Sequence, residues 1–206
     1  TLMQLDRVML GKLDEVIGKL NKQYGQTVVS TDKDSIAFKV KDRVPFPTPA
    51  LTYLFGGGLP TNIIMEIAGG FSSGKSSLAM AIAGEFQRYY KQKWQARVDE
   101  LTNQDKLNKD EAKELAELKE NGHKRVVWLD IEQSMRDENW VKKNKLDADD
   151  LVYYRPDDQS AEEILDATIK LVETGCVCLV VLDSIAALTS ASALKKDLTE
   201  KTYCGV

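Results

Sequence analysis

At 206 residues, 43% of them apolar, the chain is long enough for one substantial domain with appendages and has the ordinary composition of a globular protein. A net charge of −4 argues against a generally basic surface that coats nucleic acid, and the single histidine, His123, excludes any mechanism that needs two. No apolar stretch approaches membrane-spanning length and no basic-then-apolar leader opens the sequence, so we expect a cytoplasmic protein without a membrane partner; the contexts of Thr1 and Val206 lead us to expect a piece of something longer.

Leu5, Val8, Met9, Leu13, Val16, Ile17 and Leu20 recur mostly three or four residues apart, which predicts an amphipathic helix from Leu5 to Tyr24 with Gly25 as its stop. Its stripe can pack on its own domain or on a neighbouring subunit. Val28-Val29 and Ile36 to Val40 read as short strands around a polar turn, and Pro45, Pro47 and Pro49 then break the chain. We therefore divide the chain into an N-terminal helix and strand arm (1–45) and a core (46–206). The core opens with a short helix over Ala50–Phe55, for which Thr48 is the expected N-cap and Pro49 the first helical residue, and with a tight connection at Gly56 to Pro60.

Gly69-Gly70-Phe71-Ser72-Ser73-Gly74-Lys75-Ser76 has the spacing G-x-x-x-x-G-K-[ST]. That spacing curls successive backbone N–H groups round phosphates, sends the lysine to the β/γ oxygens and leaves the hydroxyl for Mg²⁺. The apolar run Ile63 to Ala68 is expected to be the strand that feeds it, and Ser77-Leu78-Ala79-Met80 continues into a helix whose positive end faces the phosphates. From Gln92 to Gly122 the chain is dense in charged and amide side chains, with Trp94, Val98 and Leu101 on one arm and Ala112, Leu115 and Leu118 on the other. This predicts a protruding helical hairpin, either a solvated excursion or a partner-binding arm. Arg88, Lys91, Lys93 and Arg97 read as a solvated face rather than a nucleic-acid track.

Arg125 to Glu132 is the next strand, ending in Asp130 and Glu132. Ligands of open parallel sheets sit beyond the carboxyl ends of the strands, where Glu132 can orient or deprotonate an attacking water; its structural alternative is to stabilise the start of a helix over Ser134 to Lys143. A short strand at Leu151 to Tyr154 and a helix at Ala161 to Thr174, with Ile164, Leu165, Thr168, Ile169, Leu171 and Val172 inward, precede the run Cys176 to Ser184. Such a continuous apolar run predicts a strand buried on both faces, with Cys176 and Cys178 as reduced residues; Asp183 at its end either holds Mg²⁺ through its water shell while Ser76 binds it directly, or caps the next helix.

Four segments together resemble the RecA-type recombinase family: Leu59-Pro60 with Ile64 to Gly69, Ser72 to Ser76, Trp128 to Glu132, and Val181 to Thr189. The resemblance implies an α/β fold with a mostly parallel central sheet flanked by helices, and an ATP- and Mg²⁺-dependent strand-exchange protein that forms a helical filament on single-stranded DNA. It also implies Lys75 on the phosphates within the loop Gly69 to Ser77, Ser76 and Asp183 at Mg²⁺, Glu132 activating water, and Trp140 against the adenine. The N-terminal arm would dock on a neighbouring subunit, and Lys195, Lys196 and Lys201 would face DNA, their alternative being a solvated helix face. Phe71, standing where bacterial members usually have a carboxylate, Gln133 after the glutamate and the hairpin insertion point to a divergent member, either of bacteriophage type or bacterial. A RecA-like switch, loader or helicase-type ATPase without strand exchange would share every phosphate-loop residue. A nucleotide kinase would need an arginine-rich lid that is not found after the strand ending at Asp183.

Overall fold

The computed structural model describes residues 2–25, 40, 42–135 and 137–190. The chain forms two compact units, Thr1–Lys41 and Asp42–Val206. In the first, helix α1 (Leu2–Tyr24) starts three residues before the periodicity predicts and stops at Gly25, whose φ of 68° suits a residue without a Cβ. Leu13 and Val16 stand exposed on it. The strands expected at 28–29 and 36–40 lie outside the described residues, apart from Val40, which is not in a strand.

The second unit opens with a two-stranded antiparallel ribbon, β1 (Arg43–Val44) against β2 (Leu59–Pro60), which encloses α2 (Pro49–Leu54). Thr48 is the N-cap of α2 by position, but its hydroxyl makes no capping bond; Thr52 Oγ1 instead accepts from the Phe46 amide at 2.9 Å. Helix α3 (Lys75–Thr102) is unbroken for 28 residues, about 42 Å, and continues without interruption into the predicted hairpin. Helix α4 (Lys109–Asn121) returns along it. Trp94 Nε1 donates to Leu118 O at 2.8 Å and the Arg97 guanidinium grips both oxygens of Glu114 at 2.9 and 2.8 Å, so residues farther along α3 meet residues earlier on α4. The turn between them ends at Asn108, which forms a reciprocal capping box with Glu111.

A three-stranded sheet follows in the order β4-β3-β5, all parallel: β3 is Arg125–Asp130, β4 Leu151–Tyr154 and β5 Val177–Asp183. Helices cover both faces. Val126 and Trp128 of β3 pack with Met80, Ala83 and Phe86 of α3 and Val141 of α5 (Glu138–Lys143), whereas Val127 and Leu129 pack against Ile164 of α6 (Ala161–Glu173). This alternation is the period of two that a strand imposes.

Three expectations are corrected here. The segment 63–68 is not a strand. Met65 and Ile67 do lean on the core while Ile64 and Glu66 face outward, so side-chain alternation produced the pattern, but no backbone ladder joins the segment to the sheet. Strand β5 is half-exposed throughout rather than buried on both faces, because it borders the sheet; β3, flanked on both sides, holds the fully buried positions. On α6, Ile164 points inward but Leu165, Ile169 and Val172 form an exposed apolar stripe.

Candidate nucleotide site

Helix α3 begins at Lys75, directly after Gly74, whose φ of 88° lies in the left-handed region that glycine tolerates. Gly74 offers no side-chain cap, so the first-turn amides of Lys75, Ser76 and Ser77 are left for an external acceptor, as an anion site at a helix start requires. Ahead of it, a Cβ on Gly69 would come within 2.6 Å of Ser73 Oγ, so the loop is folded tightly on itself. Lys75 Nζ donates back to the carbonyls of Gly69 and Gly70 at 3.2 and 3.0 Å, across the concavity of the loop. Ser72 has a φ of 54°, and Phe71 is fully exposed at the loop's tip. These features fit the phosphate groups of a nucleotide.

The direction of α3 relative to the sheet follows from its contacts. Gln87, buried, bonds Asp147 and the carbonyl of Asp150, the residue just before β4; Trp94 lies 6.0 Å from the ring of His123, two residues before β3. The later part of α3 thus sits at the amino ends of the strands. Lys75 is twelve residues earlier, about 18 Å along the helix, and the six residues of β3 span about 20 Å. The start of α3 is therefore level with the carboxyl ends of the strands, where Asp130, Glu132 and Asp183 reside.

Those carboxylates have different surroundings. Asp130 and Asp183 are register partners on adjacent parallel strands. Asp130 is fully buried and accepts from the amides of Ser134 (2.9 Å) and Met135 (3.1 Å), the Ser134 hydroxyl (3.3 Å) and the Tyr153 hydroxyl (2.5 Å). The Ser134 hydroxyl also lies 3.4 Å from Asp183 Oδ2, so its one proton serves either carboxylate. Strand β3 ends at Asp130, and Glu132 stands exposed on the following turn, not on the strand as expected. The Ile131 and Glu132 amides bond the Asp183 carbonyl at 2.9 and 3.2 Å, and the Ser184 hydroxyl donates to Glu132 Oε1. Helix α5 is capped by Asp137, whose side chain accepts from Asn139 and Trp140, so Glu132 is not needed there. Trp140 itself leans against the core.

Of the basic residues, Arg88 pairs with Glu85 and the Lys145 carbonyl, Lys93 with Asp42, and Arg97 with Glu100 and Glu114. The Lys93 ammonium holds the Asp42 carboxyl below its ordinary range. These side chains are committed within the protein. Lys195, Lys196 and Lys201 lie outside the described residues. Among the described residues no three His, Cys, Asp or Glu side chains gather to hold a metal. Sequence reasoning passed over Tyr153 and Ser134; the pairing of β4 with β3 brings in Tyr153, and that of β5 with β3 brings Asp183 to Ser134.

Residues 111–205 match the family model described as the RecA N-terminal domain, a stretch that holds β3, β4 and β5 but not the phosphate loop. The chain is 27% identical over 187 residues to "Protein RecA" of Thioalkalivibrio sulfidiphilus, covering 90% of this chain and 44% of the relative. It is 28% identical over 190 residues to "Protein RecA" of a Wolbachia sp. (92% and 43%), and 27% over 199 residues to that of Chlorobium chlorochromatii (96% and 46%). The chain spans a little under half the length of these curated relatives. In these matches the chain is similar to proteins of the RecA-type recombinase family.

Proposed function

We propose that the chain carries the nucleotide-binding core of an ATP-dependent recombination protein that acts on single-stranded DNA. The observation that supports this reading most is the convergence of the α3 start with the carboxyl ends of β3 and β5. There the lysine of the glycine loop, an exposed glutamate and a strand-end aspartate lie toward one end of the sheet.

In this reading the amides of Gly70 to Ser77 and Lys75 hold the phosphates, Ser76 and Asp183 hold Mg²⁺, and Trp140 borders the base. The bound cation would neutralise charge developing on the transferred phosphoryl group. Glu132 takes a proton from, or orients, the attacking water, and the Ser184 hydroxyl keeps its carboxylate directed. Asp130, buried and fully engaged by donors, has a supporting role. Lys195, Lys196 and Lys201 are assigned to the DNA face as sequence-independent phosphate contacts. The exposed apolar stripes of α1 and α6 support assembly of copies into a filament, with the arm 1–45 docking on a neighbour. A cytoplasmic location agrees with this role, and no described helix is long and apolar enough to cross a membrane.

The test is ATP hydrolysis with Mg²⁺, with and without single-stranded DNA, by this chain and by one extended past Val206. Turnover stimulated by DNA in either is the expected result. Nucleotide binding with no response to DNA in both would replace the recombinase reading with that of a RecA-like switch or loader.

A further inference from the structure

Strand β4 reaches the carboxyl end of the sheet with two side chains directed at the turn that carries Glu132. Tyr153 is paired in register with Trp128, two residues before Asp130, and its hydroxyl donates to Asp130 Oδ2. Asp130 in turn binds the Ser134 amide through Oδ1 and the Met135 amide through Oδ2, so one buried carboxylate secures the far end of the turn that begins at Ile131. Arg155, just past β4, donates to Gln133 Oε1 at 2.6 Å. Gln133 has a φ of 52°, a conformation that an L residue adopts only when its surroundings hold it. Glu132 is thus fixed from three directions: Asp130 beyond it, Gln133 beside it, and Ser184 on its own carboxylate.

We propose that Tyr153 is a positioning residue for Glu132. Its hydroxyl orients the Asp130 carboxylate, which fixes the turn and with it the reach of Glu132 toward the attacking water, while Arg155 steadies the same turn from the outside. The proposal rests on the reading of Glu132 as the water-activating residue. A group that must act within a few tenths of an ångström of its productive place loses rate when its supporting shell loosens. Tyr153→Phe removes only the hydroxyl and keeps the ring and its packing.

The experiment compares the wild-type chain, Tyr153→Phe, Glu132→Gln and the double variant, extended past Val206 if the shorter chain turns over slowly. ATP hydrolysis with Mg²⁺ and single-stranded DNA, affinity for a fluorescent ATP analogue, and hydrogen exchange at the Ser134 and Met135 amides are read for each. Tyr153→Phe is expected to lower kcat about tenfold while KM and nucleotide affinity stay within about twofold. The two amides should exchange about tenfold faster, and the double variant should be no slower than Glu132→Gln alone. Unchanged exchange overturns the proposal even in a chain that hydrolyses nothing. An unchanged kcat beside an inactive Glu132→Gln overturns it too, leaving the reading of Glu132 intact. Full turnover by Glu132→Gln removes that reading and the proposal with it. A loss confined to KM or to nucleotide affinity would assign Tyr153 to binding rather than to positioning.

Discussion

Replacing Gly84 by alanine tests how α3 is seated against the fold. In an exposed helix interior, alanine in place of glycine is worth about 0.8–1.0 kcal/mol of added stability. At Gly84 the new Cβ would meet the Lys145 carbonyl oxygen at 2.2 Å and its carbon at 2.9 Å. Ordinary C···O contacts are about 3.3–3.6 Å, so backbone must retreat by about 1 Å. The turn that would move also receives the Arg88 guanidinium on the same carbonyl (2.8 Å) and exchanges hydrogen bonds between Gln87 and Asp147 (2.8 and 2.9 Å). Overpacking typically costs about 1–3 kcal/mol, and a weakened hydrogen bond adds about 1 kcal/mol. The net expectation is a destabilisation of about 1–3 kcal/mol, a fall in Tm of roughly 2–12 °C for a chain of this size. Thermal and urea unfolding measure it. Gly18→Ala in α1, where a Cβ meets nothing within 4 Å, is the control and should be neutral or stabilising. A higher Tm for Gly84→Ala would refute the close approach of α3 to the 144–147 turn, and with it the placement of the α3 start.

Glu132→Gln should keep nucleotide affinity and lose turnover by about 10²-fold or more, as removal of a general base does; equilibrium binding beside single-turnover hydrolysis separates the two. Leu101, one residue before the end of α3, is fully buried, so Leu101→Ala should cost about 2–5 kcal/mol and loosen the hairpin, read as faster hydrogen exchange along α4. Burial pushes the Cys178 thiol up from 9.0 to about 12. The folded state holds this proton more tightly than the unfolded one, so stability is intact below pH 9 and falls as pH rises from there toward about 12. Urea unfolding of Cys178→Val should have a shallower decline than the wild type between about pH 9 and 11; an identical decline would show that the thiol does not titrate as a buried group.

Local chemistry made much of the second unit legible. The helix start at Lys75, the strands β3, β4 and β5, and helix α6 each carry a signal within a few residues: a glycine before the lysine, a run of apolar residues, or apolar residues three and four apart. What escaped depends on partners distant in sequence. The β1/β2 ribbon has only two residues per strand, too few for a period. The run 63–68 alternates as a strand would, yet pairing is decided by a neighbouring edge, which side-chain pattern alone does not encode. The composition changes at Gln92, yet α3 runs through it, its far half packed against α4, Asp42 and His123 on one side and solvated elsewhere. At the site, the residue types of Lys75, Glu132 and Asp183 were readable from spacing. The hydroxyl of Tyr153 was not, since nothing in a single strand's sequence states which residue lies beside it, and that of Ser134 was not, since the turn that brings it onto Asp130 and Asp183 is set by the β3/β5 pairing.

Calorimetric titration of Mg²⁺-ATP into the chain and into Lys75→Ala tests the central claim most directly. The account predicts saturable binding by the wild type and its loss, by at least about tenfold, when the lysine that spans the Gly69 and Gly70 carbonyls is removed. Equal affinity in the two proteins would mean that this loop does not hold phosphate, and no binding by the folded wild type would remove the nucleotide site from the account altogether.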